Sequence, residues 1–115
     1  MWRNGNAYWC LPVAGGEIRF RMNPEDDPDI VDNIDGYVYL DDGVVKTFTA
    51  LTLAEVDRML TRWSQSGEAL SGLYLCCPDL VLLRSPGLPN ITAAVEDAIA
   101  QGLLPSVTIW DDETT

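Results

Sequence analysis

The chain has 115 residues, 18 of them acidic against 7 basic, no histidine, and a formal net charge of −11. That balance excludes unaided binding to a bare phosphate backbone, because every approach would meet like charge. The length suits one domain over residues 1–115, and an apolar share of 47% in patterned runs is enough for a packed core and argues against disorder.

The predicted elements begin with Ala7-Tyr8-Trp9-Cys10-Leu11, rich in strand formers and stopping at Pro12. Gly15-Gly16 makes a turn. Glu17 to Met22 then alternates, with Ile18, Phe20 and Met22 on one face and Glu17, Arg19 and Arg21 on the other, as a half-exposed antiparallel strand requires. Asn23-Pro24-Glu25-Asp26-Asp27-Pro28-Asp29 has no periodicity and reads as an acidic loop. A second hairpin follows, Tyr37–Leu40 and Val44–Phe48, joined by Asp41-Asp42-Gly43; Asp-Gly is a strong hairpin signal.

Thr52-Leu53-Ala54-Glu55 is a capping box, and the helix it opens runs to about Gln65, stopped by Gly67. Leu53, Val56, Met59, Leu60 and Trp63 form its apolar stripe, which assigns Trp63 to the core. Leu73–Cys77 and Leu80–Leu83 are continuous apolar runs around Pro78-Asp79, the pattern of strands buried on both faces at the centre of a sheet, or of one strand bulged at Pro78. Asn90 is positioned to cap a second helix ending near Gln101, with Ile91, Ala94, Val95, Ala98 and Ile99 on its apolar face. Ser106–Trp110 is the last strand, and a strand, helix, strand order here predicts a right-handed parallel crossover. The expected fold is α+β: a single mixed, mainly antiparallel sheet of about five to seven strands with two helices packed on it, most simply on one face.

No apolar run reaches the roughly 18 residues of a membrane span, and Met1–Asn6 lacks the apolar region of a signal peptide, so the expected location is cytoplasmic. The three cysteines, Cys10, Cys76 and Cys77, lack framework spacing and read as buried free thiols. Without histidine, a Cys-His nucleophile is impossible and zinc has no ligand set. The acids do not fit a calcium loop, since Val31 stands where a ligand belongs and no glycine follows in place. Gly15-Gly16 lacks the lysine and helix of a phosphate loop. No catalytic residue, metal site or cofactor is expected.

What remains is charge. Glu25, Asp26, Asp27, Asp29, Asp32, Asp35, Asp41 and Asp42 place 8 of the 18 acids within 18 consecutive positions. Such a run ordinarily serves hydration. Its density also costs stability through self-repulsion and attracts a basic surface, raising association rates by roughly 10- to 1000-fold at low salt. Tyr37 and Tyr39 share one strand face beside these acids, and Trp110 ends the last strand. Aromatics rimmed by acids have the composition of a protein-binding hot spot.

In size, charge and layout the chain resembles the small acidic immunity proteins of bacterial polymorphic-toxin and contact-dependent inhibition systems. The resemblance implies a protein that binds a basic toxin domain, often a nuclease or deaminase, and blocks it. Within this acidic, partner-binding cluster Asp26, Asp27, Asp29, Asp32, Asp35, Asp41 and Asp42 would pair with lysines and arginines of that partner, and Tyr37, Tyr39 or Trp110 would supply the desolvated anchor. Direct nucleic-acid or membrane binding is not expected. Three alternatives stand beside it: a phage-encoded inhibitor or DNA mimic of the anti-CRISPR type, a small carboxylate- or metal-dependent enzyme, and an oligomeric adaptor subunit.

Overall fold

Period-two alternation in the first half of the chain builds an antiparallel sheet. A computed structural model describes residues 2–3, 8–23 and 25–107. In it β1 (Trp2–Arg3), β2 (Tyr8–Val13), β3 (Gly16–Arg21), β4 (Asn33–Leu40) and β5 (Val45–Thr52) are neighbours in sequence and in space, each antiparallel to the last. After them come α1 (Leu53–Ser66), a short turn α2 (Glu68–Gly72), β6 (Leu80–Leu83), α3 (Leu88–Ala100) and β7 (Ser106–Val107). β6 runs parallel to β5 beside residues 49–52, and β7 runs antiparallel to it at Val45 and Lys46. The two therefore share one edge of β5, end to end. The fold is α+β on one mixed, mainly antiparallel sheet.

One face of that sheet is the core. Ile18, Phe20 and Met22 on one side, Ile34 and Val38 of β4, Phe48 and Ala50 of β5 and Leu83 of β6 meet Leu88, Ile91, Val95 and Ala98 of α3, with Leu104 closing the end. Each large side chain buried this way contributes about 1.5–3 kcal/mol. Phe20 and Phe48 meet edge to face, with centroids 5.8 Å apart. Gly36 makes room for them: a Cβ there would come within 2.4 Å of the Phe48 ring.

α1 forms as its sequence dictates. The Thr52 hydroxyl accepts from the Glu55 N–H at 3.1 Å, and Gly67, at φ 90°, ends the helix by donating its N–H to the Trp63 carbonyl. Yet α1 buries no residue. Val56, Met59, Leu60 and Trp63 are half-buried, so Trp63 is only partly in a core, and Leu53 is exposed. In α2, Ala69, Leu70 and Ser71 take left-handed φ values of 50°, 53° and 60°. Such geometry costs about 1–2 kcal/mol per residue. It turns the chain back onto α1 so closely that a Cβ on Gly72 would lie 2.1 Å from the Leu60 carbonyl oxygen.

Several expectations are corrected. Leu73–Cys77 is irregular, not a strand, because the left-handed turn before it leaves Leu73 and Tyr74 facing outward. Its attachment to the sheet is made by Asp79 instead: the Thr49 N–H donates to the Asp79 carbonyl at 2.9 Å. β6 is a strand, but it pairs only with β5 among the described residues, and Leu80 and Leu82 lie beside Thr49 and Leu51 on the face opposite the core, where they are exposed. A continuous apolar run says nothing about whether both neighbours are present. Asn90 is not the cap of α3. Gly87 holds that position, Pro89 sits in the first turn, and the Asn90 side chain donates back to the Pro86 carbonyl at 2.9 Å. The parallel crossover is β5–α1–β6, whereas β7 is antiparallel to β5. β2 continues through Pro12, which a ladder tolerates where β1 no longer flanks it, since β1 reaches only Tyr8 and Trp9. Of the thiols, Cys10 is buried, Cys77 is half-buried and Cys76 is exposed. Residues 108–110 of the last expected strand lie outside the described residues.

Candidate functional site

The acid-rich stretch is divided by the strand it contains. Asp32 precedes β4 and Asp41 follows it. At about 3.3 Å per residue, β4 holds them about 30 Å apart. That is roughly three Debye lengths at 0.1 M salt, so the two ends act as separate patches.

The first patch is the loop of Glu25, Asp26, Asp27 and Asp29, all exposed. Proline and aspartate here build local turns instead of a strand. The Asn23 N–H donates to Asp26 Oδ2, and the Asp29 N–H to Asp27 Oδ1, both at 2.9 Å. The loop is also clamped to the start of α3. Leu88 N–H donates to the Pro28 carbonyl and Gly87 N–H to the Val31 carbonyl, both at 2.8 Å. Backbone carbonyls thus satisfy helix donors and leave the carboxylates directed elsewhere. Gly87 is required at this clamp: its φ is 103°, and a Cβ would approach the Asp29 carbonyl oxygen to 2.9 Å. The result is a pre-formed acidic ledge. Ile30 projects from it, 66% exposed. Sequence reasoning passed over Ile30; its one signal was an apolar residue among acids with no periodic partner.

Asp32 belongs to the frame. Arg58 of α1 donates to its carboxylate and also to Glu55, whose other oxygen accepts from the Asn33 side chain at 2.8 Å. The hydrogen bond to Glu55, aided by the charge of Asp32, holds the Arg58 guanidinium above its ordinary pKa. The four groups tie α1 to the start of β4.

Asp35, Tyr37 and Tyr39 lie on the face of β4 opposite the core. Cross-strand rows set Tyr37 between Arg19 and Thr47, Tyr39 between Glu17 and Val45, and Asp35 beside Thr49. The two tyrosine rings are 6.2 Å apart. The Arg19 guanidinium lies 3.9 Å from the Tyr39 ring centroid, and its Nε donates to Glu17 at 2.6 Å. Burial opposes the arginine's charge, but the hydrogen bond and charge of Glu17 outweigh it and raise its pKa. This face is therefore mixed in sign, with the tyrosines set against arginine as well as acid.

Beside it is a small polar hollow of about 160 Å³, lined by Arg21, Asp35, Tyr37, Thr47, Thr49 and Asp79. Asp79 was not among the residues marked by the sequence. Burial pushes its carboxyl up, but hydrogen bonds from Thr49, Thr47 and Cys77 prevail and hold it below the ordinary aspartate range. Thr49 Oγ1 donates to it at 2.8 Å and Cys77 Sγ at 3.2 Å.

The second patch, Asp41 and Asp42, forms the β4–β5 turn. Asp42 Oδ1 accepts from the Val44 N–H at 2.9 Å, and Asp41 N–H donates to the Gly15 carbonyl of the neighbouring turn at 2.8 Å. Trp110 lies outside the described residues. Among the described residues no three Cys, Asp or Glu side chains gather to hold a metal ion, and no helix is long and apolar enough to cross a membrane. No protein-family model, no curated protein and no solved structure matches this chain.

Proposed function

We propose that the protein is a small acidic binding protein that neutralises a basic partner, most simply as an immunity protein blocking a toxin domain such as a nuclease or deaminase. The carrying observation is the ledge: four exposed acids, Glu25, Asp26, Asp27 and Asp29, held in place by the loop's own hydrogen bonds and by α3. A surface that is already ordered loses little entropy on docking. Ile30 supplies an apolar contact within it, and Asp41 and Asp42 offer a second, independent point of attraction. Asp32 serves by anchoring the ledge to α1. The break in the acidic track along β4, where Arg19 and Arg21 intervene, favours discrete docking over the continuous carboxylate row of a DNA mimic.

The test is capture of the partner from the native host, then association kinetics across a salt series. Between about 0.01 M and 1 M salt the Debye length falls from about 30 Å to 3 Å. The association rate is expected to fall at least tenfold over that range, and a Glu25→Gln, Asp26→Asn, Asp27→Asn, Asp29→Asn variant to lose most of that dependence. A rate indifferent to both changes contradicts the reading. A second reading, an oligomeric adaptor, is favoured by β6, an apolar edge with Leu80 and Leu82 exposed. Light scattering of the purified protein across concentration tests it.

A further inference from the structure

We infer that the groove between β2 and α3 receives a lysine- or arginine-bearing apolar segment of the basic partner. The inference rests on the preceding reading that the partner is basic, and it names where the partner's anchor goes.

The groove has a volume of about 430 Å³, within the roughly 300–1000 Å³ typical of binding sites. Trp9 and Leu11 of β2 form one wall, and Leu88 and Pro89 of α3 the other. Asp29 comes from the ledge and Glu96 from α3. Both acids are exposed, and neither makes an ion pair among the described residues. Among the described residues, no basic residue lines the groove.

These features select one chemistry. A purely aliphatic occupant would leave two carboxylates without a counter-charge. A bare cation would leave the Trp9, Leu11 and Pro89 surface wet. An anion would be repelled by Asp29, Glu96 and the ledge beyond. A side chain with a long apolar stem and a cationic end, flanked by leucine-sized neighbours, satisfies all three conditions. The groove shares Asp29 with the ledge, so a chain seated in it would carry its next basic residues onto Asp26 and Asp27. That continuity favours a protein segment over a free amine.

The test uses three short peptides with one apolar frame: leucine alternating with lysine, with glutamine, or with glutamate. Binding is read by amide shifts in the intact protein and by titration. The lysine peptide is expected to shift Thr92, Ala93 and Glu96, the glutamine peptide to bind about three- to tenfold more weakly, and the glutamate peptide not to bind. Ala93→Trp, at an exposed position, fills the groove and should abolish lysine-peptide binding. Glu96→Lys, also exposed, should reverse the order of lysine and glutamate peptides and serves if the tryptophan variant misfolds. Equal binding of the lysine and glutamate peptides, or lysine-peptide binding untouched by both variants, overturns the inference. The two readings separate cleanly with the native partner. Salt-sensitive binding that Ala93→Trp and Glu96→Lys leave unchanged removes the groove and keeps the acidic ledge. Lysine-peptide binding in the groove alongside salt-indifferent partner binding does the reverse.

Discussion

α1 has a side-chain cap at Thr52 and a well-defined apolar stripe, yet buries no residue; α3 starts without a side-chain cap and buries Leu88, Ile91, Val95 and Ala98. The difference lies in what each helix meets. α3 lies on the face of the sheet made of Phe20, Val38, Phe48 and Ala50, and its small Ala94 and Ala98 allow a close approach. α1 leaves β5 directly and is tied to the sheet at one end by Asp32, Asn33 and Glu55. The other face of the sheet presents Arg19, Arg21, Asp35, Tyr37, Thr47 and Thr49 across β3 to β5, with apolar Leu51, Leu80 and Leu82 at its β5–β6 side, so it offers a helix a smaller apolar surface. Amphipathicity decides that a helix forms with a sticky side; the surface available decides whether that side is buried.

The contrast is open to direct attack. Ile91→Ala, in the α3 interface, is expected to cost about 2–5 kcal/mol of unfolding free energy in urea titrations, because the cavity sits in a packed core. Met59→Ala on α1 should cost clearly less, about 1 kcal/mol, since Met59 is only half-buried. Equal losses would mean that α1 is as much a part of the core as α3.

Gly36→Ala should cost about 1–3 kcal/mol by overpacking, since its Cβ would meet both the Phe48 ring and, at 2.6 Å, the Arg19 carbonyl oxygen; Phe48→Leu in the same chain relieves only the first contact and should recover part of the loss. Additive losses in that double-mutant cycle would place the strain elsewhere. Thr52→Ala is expected to cost about 1 kcal/mol and to lower helicity by circular dichroism, without disturbing α3.

The smallest expected effect concerns Asp79, which clips the irregular segment before β6 to β5. Its carboxyl is held below the ordinary aspartate pKa, so its contribution is complete above about pH 4 and is lost as pH falls through the lower folded value. Thr49→Val should bring that carboxyl back toward the ordinary range and flatten the acid limb of the stability curve below about pH 4. An unchanged acid limb would show that the clip contributes nothing.

Much of the local structure was legible beforehand. The strand alternation of Glu17–Met22, the Asp-Gly turn, the Thr52 cap and the stop at Gly67 each depend on residues close in sequence, and each is found; the reciprocal half of the capping box is not, since the Glu55 carboxylate accepts from Asn33 and Arg58 and the Thr52 N–H donates to the Asp32 carbonyl. Leu80–Leu83 reads as a strand from its residues, but its place beside β5 alone does not, because pairing partners are distant in the chain. The irregular path of Leu73–Cys77 is not legible in its residues, because the left-handed geometry before it falls on Ala69, Leu70 and Ser71, none of which favours it. The acid loop was legible as charge, but its clamp to Gly87 and Leu88 joins segments almost sixty residues apart, and no periodicity reports that.

The residues alone determined which short elements form and how much negative charge the chain carries, because propensity and charge are properties of the local sequence. Only the tertiary structure decided how that charge is deployed. β4 parts Asp32 from Asp41, α1 neutralises Asp32 through Arg58, and α3 sets the remaining acids beside an apolar groove. Electrostatic potential falls off with distance in space, and distance in space is set by the sheet.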